Sequence, residues 1–324
     1  MRLIALFILV VLFISCNNDK KYKFEYDVII TDTAANLKDL NSEYDDYNSD
    51  LPYPSQRMNI YFSSNRNSRG NNFDIVAGKM DFSYHSDDDI LNVSTPTNVY
   101  LRDALKILPK INTDNNEFGP YTYYSGDDIL FMYATEVNGS FDIKFVEFTN
   151  WNYSHKGQEV SNPLNLGVIN DIGDNLYPSI NHEKDELFFC SNRNDTVFNI
   201  YSASFNTVIS KQSLIDGNIN AIEINNILSS SYDDKCPYIS GDFLIFTSNR
   251  DGGFGSYDLW FSQFKNNSWT NPTNFGENIN SEYDEFRPVM FNTLNFDLMI
   301  FSSNRPKGEG GFDLYIVKID EFKD

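Results

Sequence analysis

The chain has 324 residues, 41% of them hydrophobic and 15% aromatic, enough apolar side chain to bury a large core and to exclude wholesale disorder. With 25 Lys and Arg against 46 Asp and Glu, the formal net charge is -21. That sign repels a phosphate backbone, so nucleic acid is not an expected partner.

The first element is a leader. Met1-Arg2 precedes an apolar run from Leu3 to Ile14, followed by Ser15-Cys16 and the polar stretch Asn17 to Lys21. The run is short for a bilayer span and suits the apolar part of a signal peptide. A small residue before a Cys resembles bacterial lipoprotein signals, in which that Cys is lipidated and becomes the mature N-terminus; Phe13 departs from the Leu usual at its position. The resemblance implies a signal peptide over residues 1–16, lipidation of Cys16, a short tether over 17–25 and a single domain over 26–324. It also implies export and anchoring to the cell envelope, with the outer membrane as the expected location.

From Tyr26 onward one pattern recurs. Tyr26 to Ile30 reads as a lone strand, and Leu40-Asn41-Ser42-Glu43-Tyr44-Asp45-Asp46 as a loop leading to an apolar strand, Asn59 to Arg66. Equivalent strands are Ile129 to Thr135, Leu187 to Arg193, Phe243 to Arg250 and Asp297 to Arg305. Each leads through a turn to an aromatic-Asp/Asn-apolar triplet: Phe73-Asp74-Ile75, Phe141-Asp142-Ile143, Phe198-Asn199-Ile200, Tyr257-Asp258-Leu259 and Phe312-Asp313-Leu314. Short Pro-led segments at Pro120, Pro178, Pro237 and Pro288, with Pro52 or Pro54 in the first copy, read as innermost strands. Ser268 to Gly276 reads as an outer one, where Pro is tolerated at an edge.

Five such units cannot bury their apolar faces singly, which predicts an all-β, five-bladed β-propeller of four-stranded antiparallel blades. The last unit ends without an outer strand while Tyr26 to Ile30 has no unit of its own, so an N-terminal outer strand is expected to complete the last blade and close the ring. Two stretches break the regularity. One spans Ser83 to Lys106, with an expected helix from Tyr100 to Leu108 presenting Leu101, Leu105 and Leu108; the other spans Thr207 to Asn226.

The Asn-Arg corner, the aromatic-Asp-apolar triplet and the Ile-Asn-Ser-Glu-Tyr-Asp-Glu loop of residues 279–285 resemble the WD40-like propeller repeats of the TolB type, found in bacterial envelope lipoproteins. The resemblance covers nearly all of the domain. It implies a binding platform, and hence a non-enzymatic envelope lipoprotein engaged in protein binding with an unidentified envelope protein. The alternative is a glycan-binding or glycan-cleaving envelope lipoprotein, since exposed Tyr and Trp faces stack on sugars.

This strand order gathers one face of charged groups: Arg66, Arg193, Arg250 and Arg305, with Asp45, Asp46, Glu117, Asp174, Asp233, Asp234, Asp284 and Glu285. Pairing among them holds loops together; left unpaired, they form a candidate binding rim. The second blade lacks its Arg and has Ala134-Thr135-Glu136 there, so Glu136 marks an asymmetric notch. Asp74, Asp142, Asp258 and Asp313 are expected to accept backbone hydrogen bonds at the corners.

Cys190 and Cys236 are expected as small buried residues. No cofactor or metal is expected, since no segment has the EF-hand spacing. Catalysis lacks support: His85, His155 and His182 stand in no repeated context, and the first four residues of each Pro-led inner strand contain no acid of the kind propeller glycosidases use.

Overall fold

The computed structural model describes residues 27–319 apart from 98, 150–157, 171, 195 and 218, so Cys16, the leader, the tether, Tyr26 and His155 lie outside the described residues. Two short strands come first, β1 (Val28–Ile29) and β2 (Ala35–Asn36). Blade one consists of β3 (Asp46–Asp50), β4 (Arg57–Ser64), β5 (Asp74–His85) and β6 (Ile90–Ser94), followed by helix α1 (Arg102–Ile111). Blade two has β7 (Glu117–Ser125), β8 (Asp128–Val137), β9 (Ser140–Phe148) and β10 (Leu164–Asn165). Blade three has β11 (Asn175–Ile180), β12 (Glu186–Ser191), β13 (Asn199–Phe205), helix α2 (Lys211–Asp216) and β14 (Ile219–Ile224). Blade four has β15 (Asp234–Ser240), β16 (Phe243–Ser248), β17 (Asp258–Lys265), β18 (Ser268–Trp269) and β19 (Thr273–Asn274); blade five has β20 (Glu285–Thr293), β21 (Phe296–Ser303) and β22 (Asp313–Lys318).

Every pairing is antiparallel, and the five blades form a β-propeller. The second strand of each blade packs against neighbouring blades on both faces. For this reason β12 (Leu-Phe-Phe-Cys) and β21 (Leu-Met-Ile-Phe) are continuous apolar runs rather than alternating ones. Both cysteines are buried and free, near Ala134, Leu176 and Tyr177.

The ring closes as expected at blade five but through a different segment. β2 pairs with β22, Ala35 opposite Ile316, whereas β1 adds a fifth strand to blade one by pairing with β6. Leu37 and Leu40 then enter the core shared by blades one and five. Helix α1 turns Ala104, Ile107 and Ile111 inward, while Leu105 of the expected face is exposed. The enlarged segment of blade three does contain an outer strand, β14, without a Trp-Pro signal.

The inner strands begin earlier than the Pro-led reading places them. Each starts at Asp46, Glu117, Asn175, Asp234 or Glu285, so four of the five carry an acid at their first position. The reason lies in a bulge that recurs in every blade. Asn48, Gly119, Tyr177, Cys236 and Arg287 all have positive φ, and each ladder shifts register there. Pro120, Pro178, Pro237 and Pro288 follow immediately, where no ladder N–H is needed. In blade one Ser49 takes the place of the Pro, and neither Pro52 nor Pro54 is equivalent.

Candidate functional site

Antiparallel strands place successive turns at opposite ends of the ring. One end carries the Asn-Arg corners and the loops entering the inner strands; the other carries the turns leaving them.

At the corner end the charged residues pair within their own blades. Arg66 Nη2 lies 2.6 Å from Asp46, Arg250 Nη2 2.5 Å from Asp234 and Arg305 Nη2 2.8 Å from Glu285, with all three carboxylates fully buried. Each guanidinium also donates to a loop carbonyl, of Leu40, Leu228 or Ile279, and lies over an aromatic ring of its blade. Arg193 does the same with Asn175 and the Ile169 carbonyl. The second set of acids joins neighbouring blades: Asp45, Asp174, Asp233 and Asp284 accept from the N–H of Phe312, Phe141, Phe198 and Tyr257. Asp258 and Asp313 each accept two backbone N–H groups within their corners, whereas Asp74 accepts from the Asn67 side chain.

Blade two keeps this joint with donor and acceptor exchanged. Elsewhere a corner Asn donates to the loop Asp, as Asn65 does to Asp45; here Asn116 donates to Glu136 at 2.9 Å and accepts from the Phe73 N–H. Glu136, half-buried, is thus one partner of a blade joint. Glu117, without an Arg, accepts from the Thr113 and Thr135 hydroxyls, and burial raises its pKa.

The axis is filled. Gly119 makes room for the Tyr177 ring, since a Cβ there would lie 2.3 Å from Tyr177 Cδ1. Arg287, fully buried, lies over the same ring and donates to the Pro120 and Pro237 carbonyls. Burial pushes the Asp50 carboxyl up to about 6, against the pull of the Thr122 hydroxyl at 2.7 Å and the Arg287 charge.

The other end holds a cleft of about 350 Å³ between blades three and four, lined by His182, Glu183, Glu186, Asp242, Phe264 and Trp269 among others. The local sequence builds both walls. Asn181 folds the blade-three turn by accepting from the N–H groups of Asp185 and Glu186, which presents His182 and Glu183. In blade four, Ser240 pairs with Phe243 across a two-residue turn whose first position, Gly241, has φ 56, a requirement that only Gly meets easily; Asp242 follows it. Phe188, Trp269 and Phe264 form an aromatic wall, Trp269 standing edge-on to Phe188 at 5.9 Å and to Phe264 at 5.2 Å. Burial raises the Glu186 pKa; the Ser202 hydroxyl opposes this, and the charges of Asp185, Glu183 and Glu223 reinforce it. None of these cleft residues belongs to the sequence-derived rim. Their only sequence signal is the Ser268-Trp269 outer strand and an acid-rich turn at residues 183–186. Among the described residues no group of three or more His, Cys, Asp or Glu is placed to hold a metal ion.

No family model matches the chain, and no curated protein matches it. Solved structures do. An endo-arabinase from Bacteroides thetaiotaomicron superposes with a TM-score of 0.52 at 14% identity, covering 91% of this chain and 98% of its own. A thermostable family-43 glycoside hydrolase gives 0.53 at 9% identity, with 87% and 91% covered. An exo-1,5-alpha-L-arabinanase from a bovine ruminal metagenomic library gives 0.50 at 11%, with 88% and 96% covered.

At these identities the likeness establishes the five-bladed fold. It also bears on two expectations from the sequence. These three neighbours are glycoside hydrolases, not WD40-like repeats of the TolB type, and they run against the expectation of a non-enzymatic, protein-binding platform. The inner strands are not free of acids as expected, since those of blades two, four and five start at Glu117, Asp234 and Glu285, but these three carboxylates are buried among structural partners at the corner end.

Proposed function

We propose that the chain is a glycan-cleaving enzyme of the bacterial envelope, exported and held at the membrane through lipidated Cys16, with the cleft beside Trp269 as its site. The observation that carries this is the meeting of an aromatic wall and carboxylates from two blades in one concave site. Sugars present apolar C–H faces that stack on Trp and Phe, and hydroxyls that bond to carboxylates and amides.

Glycoside hydrolysis needs one carboxylic acid and one carboxylate. Glu186, with its raised pKa, supplies the acid: its proton goes to the glycosidic oxygen as the bond to the anomeric carbon breaks. Asp242, exposed at its turn, supplies the base, taking a proton from the water whose oxygen forms the new bond to that carbon. Release of reducing ends from a polysaccharide panel tests this. Glu186→Gln is expected to lower the rate at least 100-fold while leaving glycan binding intact. Release unaffected by both Glu186→Gln and Asp242→Asn would remove the cleft from the chemistry. Solubilisation of the protein by Cys16→Ala tests the anchor.

A further inference from the structure

The Trp269 cleft does not end at its own walls. Asn181, His182, Ile239 and Gly241 also line a second hollow of about 260 Å³, beneath the inner strands of blades two to four. Thr122 and Tyr124 line both this hollow and a third, of about 230 Å³, between blades one and two beside α1. All three lie at the end of the ring away from the Arg corners and share lining residues in sequence.

We infer that they form one groove that takes a linear, uncharged glycan chain several sugar units long, running from Trp269 across the mouth of the axis to Tyr53. This rests on the glycan-cleaving function proposed above and identifies its substrate class as a polymer rather than a terminal sugar. Aromatic faces recur along the groove. Trp269 and Phe264 stand at one end, Tyr121 and Tyr124 in the middle, and Tyr53, edge-on to Tyr124 at 6.5 Å and well exposed, at the other. Between them stand hydrogen-bonding groups suited to hydroxyls: Asn181 and His182, then Thr122, then Asn59 and Arg57. Glu183 and Asp242 place negative charge at the Trp269 end, whereas the single cation Lys184 lines the middle hollow and Arg57 is balanced by Asp103 in the third, so a uronate polymer meets like charge where its chain passes Trp269.

At the corner end the hollow of about 490 Å³ beside Arg305 and the one of about 200 Å³ beside Arg66 share no lining residue, so they do not join into a path. A chain seated in the groove passes Trp269 and Tyr53 at once, so the sites act together only on ligands long enough to reach both.

The test is a calorimetric series of neutral oligosaccharides from two to eight units on the wild type, Trp269→Ala and Tyr53→Ala, with an oligouronate of matched length. Affinity is expected to rise at least tenfold from the shortest to the longest neutral ligand and to be weaker for the uronate. Tyr53→Ala is expected to remove the gain for long ligands and leave short ones unchanged, and Trp269→Ala to weaken all. Length-independent binding that Trp269→Ala abolishes would overturn the groove while leaving a one-pocket glycan site. A length gain that survives Tyr53→Ala would overturn the path proposed. Absence of glycan binding at every length, with a Pro-rich peptide bound instead, would overturn both the groove and the function beneath it.

Discussion

The two ends of the ring use polar residues in opposite ways. At the corner end, Asp46, Asp234 and Glu285 recur from blade to blade, are wholly buried, and each faces an Arg and a loop hydroxyl. At the turn end, Glu183 and Glu186 belong to a turn built differently from those of the other blades, and Asp242, whose Ser-Gly-Asp turn recurs in blade two at Asp127, meets them in an open cleft. Periodic polar groups solve problems that every blade shares: these hold a blade's corner to its own entering loop, and Asp45, Asp174, Asp233 and Asp284 join it to its neighbour. Groups outside those joints are free to meet a ligand, and the sharpest repeats in this sequence therefore mark architecture rather than activity.

Breaking a corner is the severest test of that contrast. Arg250→Ala strands the buried Asp234 carboxylate and should cost about 4 kcal/mol in urea unfolding, as removal of one partner of a buried ion pair does. A loss below about 1 kcal/mol would show that the corners are not structural. At the axis the effect depends on pH. The folded pKa of Asp50, about 6, lies above its ordinary 3.8, so the folded state holds the proton more tightly. The contribution of Asp50 to stability is therefore fullest below about pH 4, falls as pH rises through about 6, and is level above that. Asp50→Asn, which removes the charge, should gain on the wild type by about 3 kcal/mol between pH 4 and pH 7.5. Equal curves for the two proteins across that range would mean that Asp50 ionises freely.

The closing strand tests the join between the chain ends. Leu37 is fully buried beside β2, and Leu37→Ala should lose about 2 to 3 kcal/mol through the cavity it leaves. An unchanged melting curve would mean that residues 35–40 do not seal the ring. The smallest effect belongs to the turn end: Glu183→Gln, on an exposed turn, should alter stability by no more than about 0.5 kcal/mol while changing the pH profile of glycan cleavage. A large stability loss there would erase the distinction between the two ends.

Much of the fold was legible because strand periodicity and blade repetition are local properties. The five apolar strands, the aromatic-Asp-apolar triplets and the need for a closing outer strand all follow from apolar faces that a single blade cannot cover. Within that frame three placements went astray for identifiable reasons. Pro marks the bulge rather than the start of each inner strand, so Asp46, Glu117, Asp234 and Glu285 seemed to fall in loops. Tyr26 to Ile30 carried the stronger strand signal, yet its strand β1 pairs with β6 of blade one and the two-residue β2 closes the ring, a choice of partner that propensity does not encode. In α1 the packing of Ile107 and Ile111 against blades one and two, rather than leucine spacing, set the buried face.

By itself the sequence determined the number of blades, their antiparallel order and the joints between them, since each rests on a pattern repeated within about sixty residues. Only the tertiary structure decided that the axis is filled by Tyr177 and Arg287, and that Glu186, Asp242 and Trp269 share one cleft. Tyr177 and Arg287 occupy a bulge position that recurs in every blade with a different residue each time, and the cleft residues come from separate blades, so their meeting depends on how neighbouring blades stack, a non-local property that no window of sequence contains.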